Sequence, residues 1–204
     1  MRVLTVDHEL VTDAANTLAR AMLDEACGRW LLPDDGEFLA FHHEVYAQLM
    51  ERALTDGRVH AWGPPMVGVA LWVVRPSVGD DPALANTSTL ARQVDVDPPE
   101  GARERIERYG GFIRDLRLRA RPDPHAYLDS LAVLPEHRGQ GIASRLLEAG
   151  HAWADEQGLP CALETESEAN VRFYARRGYR VVATVPVPEA NLTITSMRRE
   201  DGTT

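Results

Sequence analysis

The run from Leu128 to Ala143, LDSLAVLPEHRGQGIA, decides the fold. Leu131, Ala132 and Val133 read as the apolar end of a strand, Pro135 bends the chain, and Gly139 and Gly141 mark a loop. Ile142, Leu146, Gly150 and Trp153 then recur at helical spacing. A strand therefore feeds a helix through glycines. The first N–H groups of a helix have no partner within it and lie at the positive end of its dipole, so they suit a phosphate. Gly139 and Gly141 can adopt positive φ and let the backbone approach a ligand, and Arg138 adds a permanent charge. The same residues also fit a strand-to-helix turn in which glycine only solves a backbone problem. A dinucleotide-binding loop fits less well: Ser144 stands where its third glycine belongs, and Leu134 to His137 separates strand from glycines.

Composition narrows the class. A chain of 204 residues, 44% hydrophobic and 26% charged, can bury one sizeable core. Its net charge of −9 argues against a general nucleic-acid surface and is compatible with a cationic amine. Two cysteines, Cys27 and Cys161, make no disulfide framework, and no Cys/His spacing suggests a metal. MRVLTVDHEL lacks an apolar signal core and no apolar run reaches membrane-spanning length, so the cytoplasm is the expected location. All 22 basic side chains are arginine.

Upstream, Val3 to Val6 alternates as a strand, and Asp7 is placed to cap a helix carrying Val11, Ala14, Ala15, Leu18, Ala21 and Met22. Gly28 and Pro33 to Gly36 predict a loop, and a second helix spans roughly Glu37 to Leu54. His42 and His43 lie on that helix without an assigned role, structural placement being the more common fate of such residues. Val59 to Trp62 and Val67 to Val74 flank Gly63-Pro64-Pro65 as a hairpin, its second strand apolar on both faces and so interior. A loop is expected from Arg75 to Thr89. Gly101 to Arg119 is helical, with Gly110-Gly111 predicting a kink or a junction of two short helices. Its arginines, interleaved with acids, read as a solvated face. Helix Ile142 to Gln157, strand Cys161 to Thr165, a turn at Glu166 to Glu168, a short helix Asn170 to Arg177 and strands Tyr179 to Val185 and Leu192 to Met197 complete the chain.

The short helix carries a second motif, Asn170, Phe173, Tyr174, Gly178 and Tyr179. Asn170 and Tyr174 are four apart and share one face, predicted to meet a cleft, while Ala169 and Phe173 share the neighbouring face, predicted to meet the core. Arg138-x-x-Gly141-x-Ala143 after its strand resembles motif A of the GNAT superfamily of acyl-CoA-dependent N-acetyltransferases, and Asn170 to Tyr179 resembles motif B, with Tyr179 in place of the usual phenylalanine. The chain is most similar to the puromycin N-acetyltransferase type of that superfamily, through GVALWVVRPS, CALETES and ATVPVPEANLTITSMRR as well, and least similar from Thr89 to Asp123.

The resemblance implies an α/β GNAT fold, a central mixed, splayed sheet of about seven strands flanked by helices. It implies one domain over residues 1–204, with a helical insertion at about 90–121 near the acceptor. Acetyl-CoA would lie between the strands at Leu128 and Cys161, its pantetheine along Leu131 and Val133. Arg138, Gly139, Gly141 and Ala143 would hold its pyrophosphate, and Asn170 would line the same site. A neutral amine would attack the thioester directly in a ternary complex. Tyr174 matches the family's general acid, and its phenol stays protonated at neutral pH. The Val133 N–H would serve the developing oxyanion. Asp129 and Glu164 are both candidates for the general base or for binding the amine, and each reads equally well as a structural carboxylate. A small-molecule amine acceptor, an antibiotic or toxic metabolite, is the leading expectation. A protein or peptide acceptor and a catalytically silent acyl-CoA sensor are the alternatives. No metal, nucleic-acid or membrane partner is expected; acetyl against longer acyl groups and the oligomeric state, a homodimer included, stay open.

Overall fold

A computed structural model describes residues 1–76, 94–120 and 124–200 of the protein. Alternating and fully apolar stretches form seven strands: β1 Arg2–Thr5, β2 Arg58–Gly63, β3 Gly68–Arg75, β4 His125–Val133, β5 Cys161–Thr165, β6 Arg180–Val187 and β7 Leu192–Arg199. They make one mixed sheet in the order β1-β2-β3-β4-β5-β7-β6. Among the described residues every strand pairing is antiparallel except β4 with β5, which is parallel. The expected splay lies there. Partners are formed only at Ala126 with Cys161 and Tyr127 with Ala162, after which β4 runs on to Val133 and β5 to Thr165.

Helices α1 Val11–Met22 and α3 Asp35–Asp56 pack on each other and on β3, while α5 Ile142–Glu156 packs on β2, β3 and β4. The contact between α5 and β3 is close: a Cβ on Gly150 would lie 2.2 Å from the indole of the fully buried Trp72. Glycine is therefore required by packing at that turn of the helix. The main core joins Leu18, Phe38, Met50, Leu71, Trp72, Leu146 and Leu147. A smaller one joins Ile113 and Leu116 of α4, Arg103–Ala120, to Val185, Val187 and Ile194, anchoring that helix on β6 and β7.

Four local expectations are corrected. Asp7 precedes a 3₁₀ turn, His8–Leu10, and makes no side-chain capping bond; Asp34, by contrast, accepts the Glu37 N–H at 2.9 Å at the start of α3. A six-residue helix, α2 Ala26–Leu31, occupies part of the predicted loop, with Leu32 buried at its end. One helix, α4, runs through Gly110-Gly111, so the junction of two short helices is not formed. Each such glycine costs about 1 kcal/mol relative to alanine, and burial of Ile106, Ile113 and Leu116 on the same helix outweighs that. Finally, in α6, Glu168–Ala175, Ala169 is exposed and Phe173 only half-buried under the Arg177 guanidinium at 3.6 Å, so Tyr174 is the residue of that helix that enters the core. The loop expected from Arg75 to Thr89 lies outside the described residues from position 77 onward, as do positions 90–93 and Pro122.

Candidate active site

The splay between β4 and β5 opens into a cavity of about 210 Å³. Its walls come from α2, α3 and α4, and its polar side from β4, β5 and α6. Of the side chains singled out in the sequence, Asp129, Leu131, Glu164, Asn170 and Tyr174 line it. Val133, Arg138, Gly139, Gly141 and Ala143 lie beyond it, at the end of β4, in the loop that follows and in the first turn of α5.

Asp129 reaches the cavity through a bulge. Leu71 pairs with Ser130 and Trp72 with Leu128, so Asp129 has no partner on β3. A bulge breaks the alternation of faces. Ser130 Oγ donates to Asp129 Oδ2 at 3.1 Å, and both residues act on the ionisation of Tyr46, on α3. Val133 instead packs beside Ile142 on the α5 side, where both are within 3.2 Å of a Cβ built on Gly68. The expected single face of Asp129, Leu131 and Val133 is therefore not formed, because alternation counted from sequence does not survive the extra residue.

The backbone of β4 turns one row of its amides toward the gap. Leu134 N–H donates to Val67 O at 2.8 Å, and successive strand amides point to opposite edges, so Val133 N–H is directed away from β3 toward the gap. Leu131, two residues earlier, shares that direction. Gly139 and Gly141 both have φ +76°, with nothing within 4 Å of an added Cβ. Gly141 caps α5, whose ladder begins with Arg145 N–H to Gly141 O, so the N–H groups of Ile142, Ala143 and Ser144 precede the first intrahelical bond. Arg138 Nε donates to Val133 O at 3.1 Å and Nη2 to Ala21 O at 2.9 Å, tying the loop to α1.

Three carboxylates of the strand side are individually engaged. Glu164 accepts from Arg117 at 3.4 Å and from Ser196 Oγ at 3.3 Å. Asp129 is held by Ser130, and burial pushes its carboxyl above the ordinary range while Arg75 pulls it back. Glu166 accepts from the Tyr109 hydroxyl; burial pushes it up as well. The guanidinium of Arg75 lies 4.6 Å and that of Arg117 4.8 Å from the Tyr127 ring centre. Burial also raises the Tyr174 phenol, with Glu25 adding to the effect, so it holds its proton at neutral pH.

Arg117, Tyr109, Glu166, Cys27 and Tyr46 line the cavity without having been singled out. Arg117 corrects the reading of that helix as a solvated arginine face, since it is half-buried and paired with Glu164. Its one sequence signal is position: Ile106, Tyr109, Ile113 and Arg117 are three or four apart and form one face. His42, left without a role, is buried against the cavity, stacked on Phe38 at 3.9 Å and bonded through Nδ1 to Phe38 O at 3.0 Å. Burial lowers its pKa to about 4, so it is neutral at pH 7.

Comparison with known proteins gives the same direction. Residues 103–179 match the acetyltransferase (GNAT) family. The Corynebacterium glutamicum protein described as histone acetyltransferase HPA2 and related acetyltransferase is 22% identical, with TM-score 0.67 over 100% of this chain and 97% of that one. A Drosophila melanogaster polyamine N-acetyltransferase is 15% identical, with TM-score 0.64 over 97% and 98%. Chaetomium thermophilum Naa20, solved with a bisubstrate analogue, is 17% identical, with TM-score 0.53 over 98% and 87%. At these identities the shared property is the fold. The family match covers part of the chain, and the fold shared with these acetyltransferases extends over nearly all of it. Among the described residues no helix is long and apolar enough to cross a membrane.

Proposed function

We propose that the protein is a GNAT acetyltransferase that moves an acetyl group from acetyl-CoA, the family's co-substrate, to the primary amine of a small molecule, in the manner of the puromycin N-acetyltransferase type it resembles. The observation that carries the reading is the cavity at the splay: it is lined on one side by α4 and brings Tyr174, Asp129 and Glu164 together beside the strand edge where Val133 N–H is directed. The glycine loop suits the donor's pyrophosphate, with two left-handed glycines and the N–H groups that open α5.

In this reaction the amine nitrogen bonds to the acetyl carbon and the carbon–sulfur bond breaks. The amine's proton goes to a carboxylate, and the departing thiolate takes one from Tyr174. Val133 N–H faces the developing oxyanion. Asp129 is the better base. Its carboxyl is raised by burial, toward the pH at which a base exchanges protons, whereas Glu164 is occupied by Arg117 and Ser196. Glu164 then contributes negative charge for the amine.

The test is CoA release with a panel of amines, alongside thermal stabilisation by acetyl-CoA, followed by pH–rate profiles of Asp129→Asn and Glu164→Gln. Loss of the acidic limb in Asp129→Asn alone is expected. The same loss in Glu164→Gln alone would reverse the assignment, and stabilisation by acetyl-CoA with no CoA release on any amine would replace the enzyme by a sensor.

A further inference from the structure

Among the described residues four carboxylates line the cavity, and one differs from the rest. Asp129, Glu164 and Glu166 each already accept a side-chain hydrogen bond, from Ser130, from Arg117 and Ser196, and from Tyr109. Glu25, the residue before α2, accepts none among the described residues and does not cap that helix. Burial is the largest cause raising the Tyr174 phenol and the Glu25 charge is the next; the same charge acts on Glu166 and Tyr46. The guanidiniums of the cavity sit elsewhere. Arg75 and Arg117 lie against the Tyr127 ring, where their charges meet those of Glu164 and Asp129. Arg177, the cation that acts on Tyr174, is outside the lining and donates to Phe173 O and Ser144 Oγ. Tyr174 is 7% exposed and lines the cavity, yet its hydroxyl has no hydrogen-bond partner among the described residues. The Tyr174 end of the cavity therefore combines an unanswered negative charge with an unanswered hydroxyl.

We propose, building on acetyl transfer as the reaction, that Glu25 is the residue that receives the acceptor as its ammonium ion, and so selects cationic amines. The ammonium donates to the Glu25 carboxylate and to the Tyr174 oxygen, which replaces the hydration it loses on entry. The Tyr127 end, with its two guanidiniums, repels the same charge, so the cavity orients the amine as well as admitting it. Asp129, which acts on Tyr46 as Glu25 does, then takes the proton. Glu25 binds and selects; it is distinct from the base.

Benzylamine and phenylhydrazine have nearly the same shape, but at neutral pH the first is an ammonium ion and the second is uncharged, so together they separate charge from fit. Glu25→Gln keeps the length of the side chain and removes its charge. The ratio of kcat/KM for benzylamine to that for phenylhydrazine should fall roughly ten- to hundred-fold from wild type to Glu25→Gln, the worth of one charge-assisted hydrogen bond. Intrinsic differences between the two nucleophiles cancel in that comparison. An unchanged or higher ratio would overturn the proposal. So would loss of the acidic limb of the pH–rate profile in Glu25→Gln, which would make Glu25 the base. Calorimetric binding of benzylamine to the protein with CoA separates the docking residue from the reaction. Weaker binding by Glu25→Gln, with no CoA release from acetyl-CoA by the wild type on any amine, would remove acetyl transfer and keep the docking residue. Equal binding by wild type and variant, or binding by neither, would remove the docking residue.

Discussion

The glycine loop after β4 and the cavity along β4 serve one strand but are built in opposite ways. The loop is short, local and made of backbone: Gly139 and Gly141 supply left-handed turns, α5 supplies N–H groups, and most of the segment is exposed. The cavity is made of side chains drawn from positions 22 to 174, buried or half-buried for the most part, with charges that must satisfy each other largely out of water. A backbone site tolerates most side-chain changes that leave its φ values possible, whereas a buried charged site couples chemistry to stability.

That difference is most exposed to failure at Arg117. Arg117→Met leaves Glu164 buried without its cation and should destabilise the protein by about 3–5 kcal/mol in denaturant unfolding, with much of the loss recovered in Arg117→Met/Glu164→Gln. Wild-type stability in the single variant would show that the pair is not structural. Next in size, Tyr174→Phe should lower turnover by ~10²-fold or more while acetyl-CoA affinity stays near wild type. Weakened binding with unchanged turnover would move Tyr174 out of the chemistry and into the wall. On the loop side, Gly141→Ala forces a side chain into φ +76° and should cost about 1 kcal/mol of stability, with weaker acetyl-CoA binding and little change in kcat at saturation. A fall in kcat instead would erase the separation between the two regions.

The smallest effect at neutral pH concerns His42. The folded protein keeps it neutral down to about pH 4, while the unfolded chain takes up a proton near 6.5, so its contribution is present above 6.5 and lost as pH falls toward 4. Asp129 and Glu166 act in the opposite sense. Burial raises their folded values, so their contribution is greatest in acid and is lost as pH rises through those values. His42→Phe should therefore show a flatter loss of thermal stability between pH 6.5 and 4 than the wild type; an unchanged slope would assign the acid sensitivity elsewhere.

The same division explains what the sequence disclosed. The β4, loop and α5 run is legible because strand patterning, glycine and helical periodicity are properties of neighbours in the chain, and the Asn170–Tyr174 face follows from a spacing of four. Arg117 was not legible as a paired cation, since nothing adjacent to it says that Glu164, forty-seven positions later, will meet it. Tyr109 and Glu166 are separated by fifty-seven. The bulge at Asp129 is hidden for another reason: it depends on the register with Leu71 and Trp72, and a single strand carries no record of its register. Ala169 and Phe173 show the limit of spacing alone, which says which residues share a face and not which face is covered.

Arg138 carries a consequence of its own. One planar guanidinium donates to the carbonyl that ends β4 and to one in the last turn of α1, so two pieces of backbone from distant parts of the chain are held at a fixed angle. A lysine there would bring a single nitrogen to carbonyls that need two, and would have to release one of them. In a chain that uses arginine for every basic residue, this is a position where the choice is mechanical: the side chain works as a bracket, and the loop it braces turns with α1 as one piece.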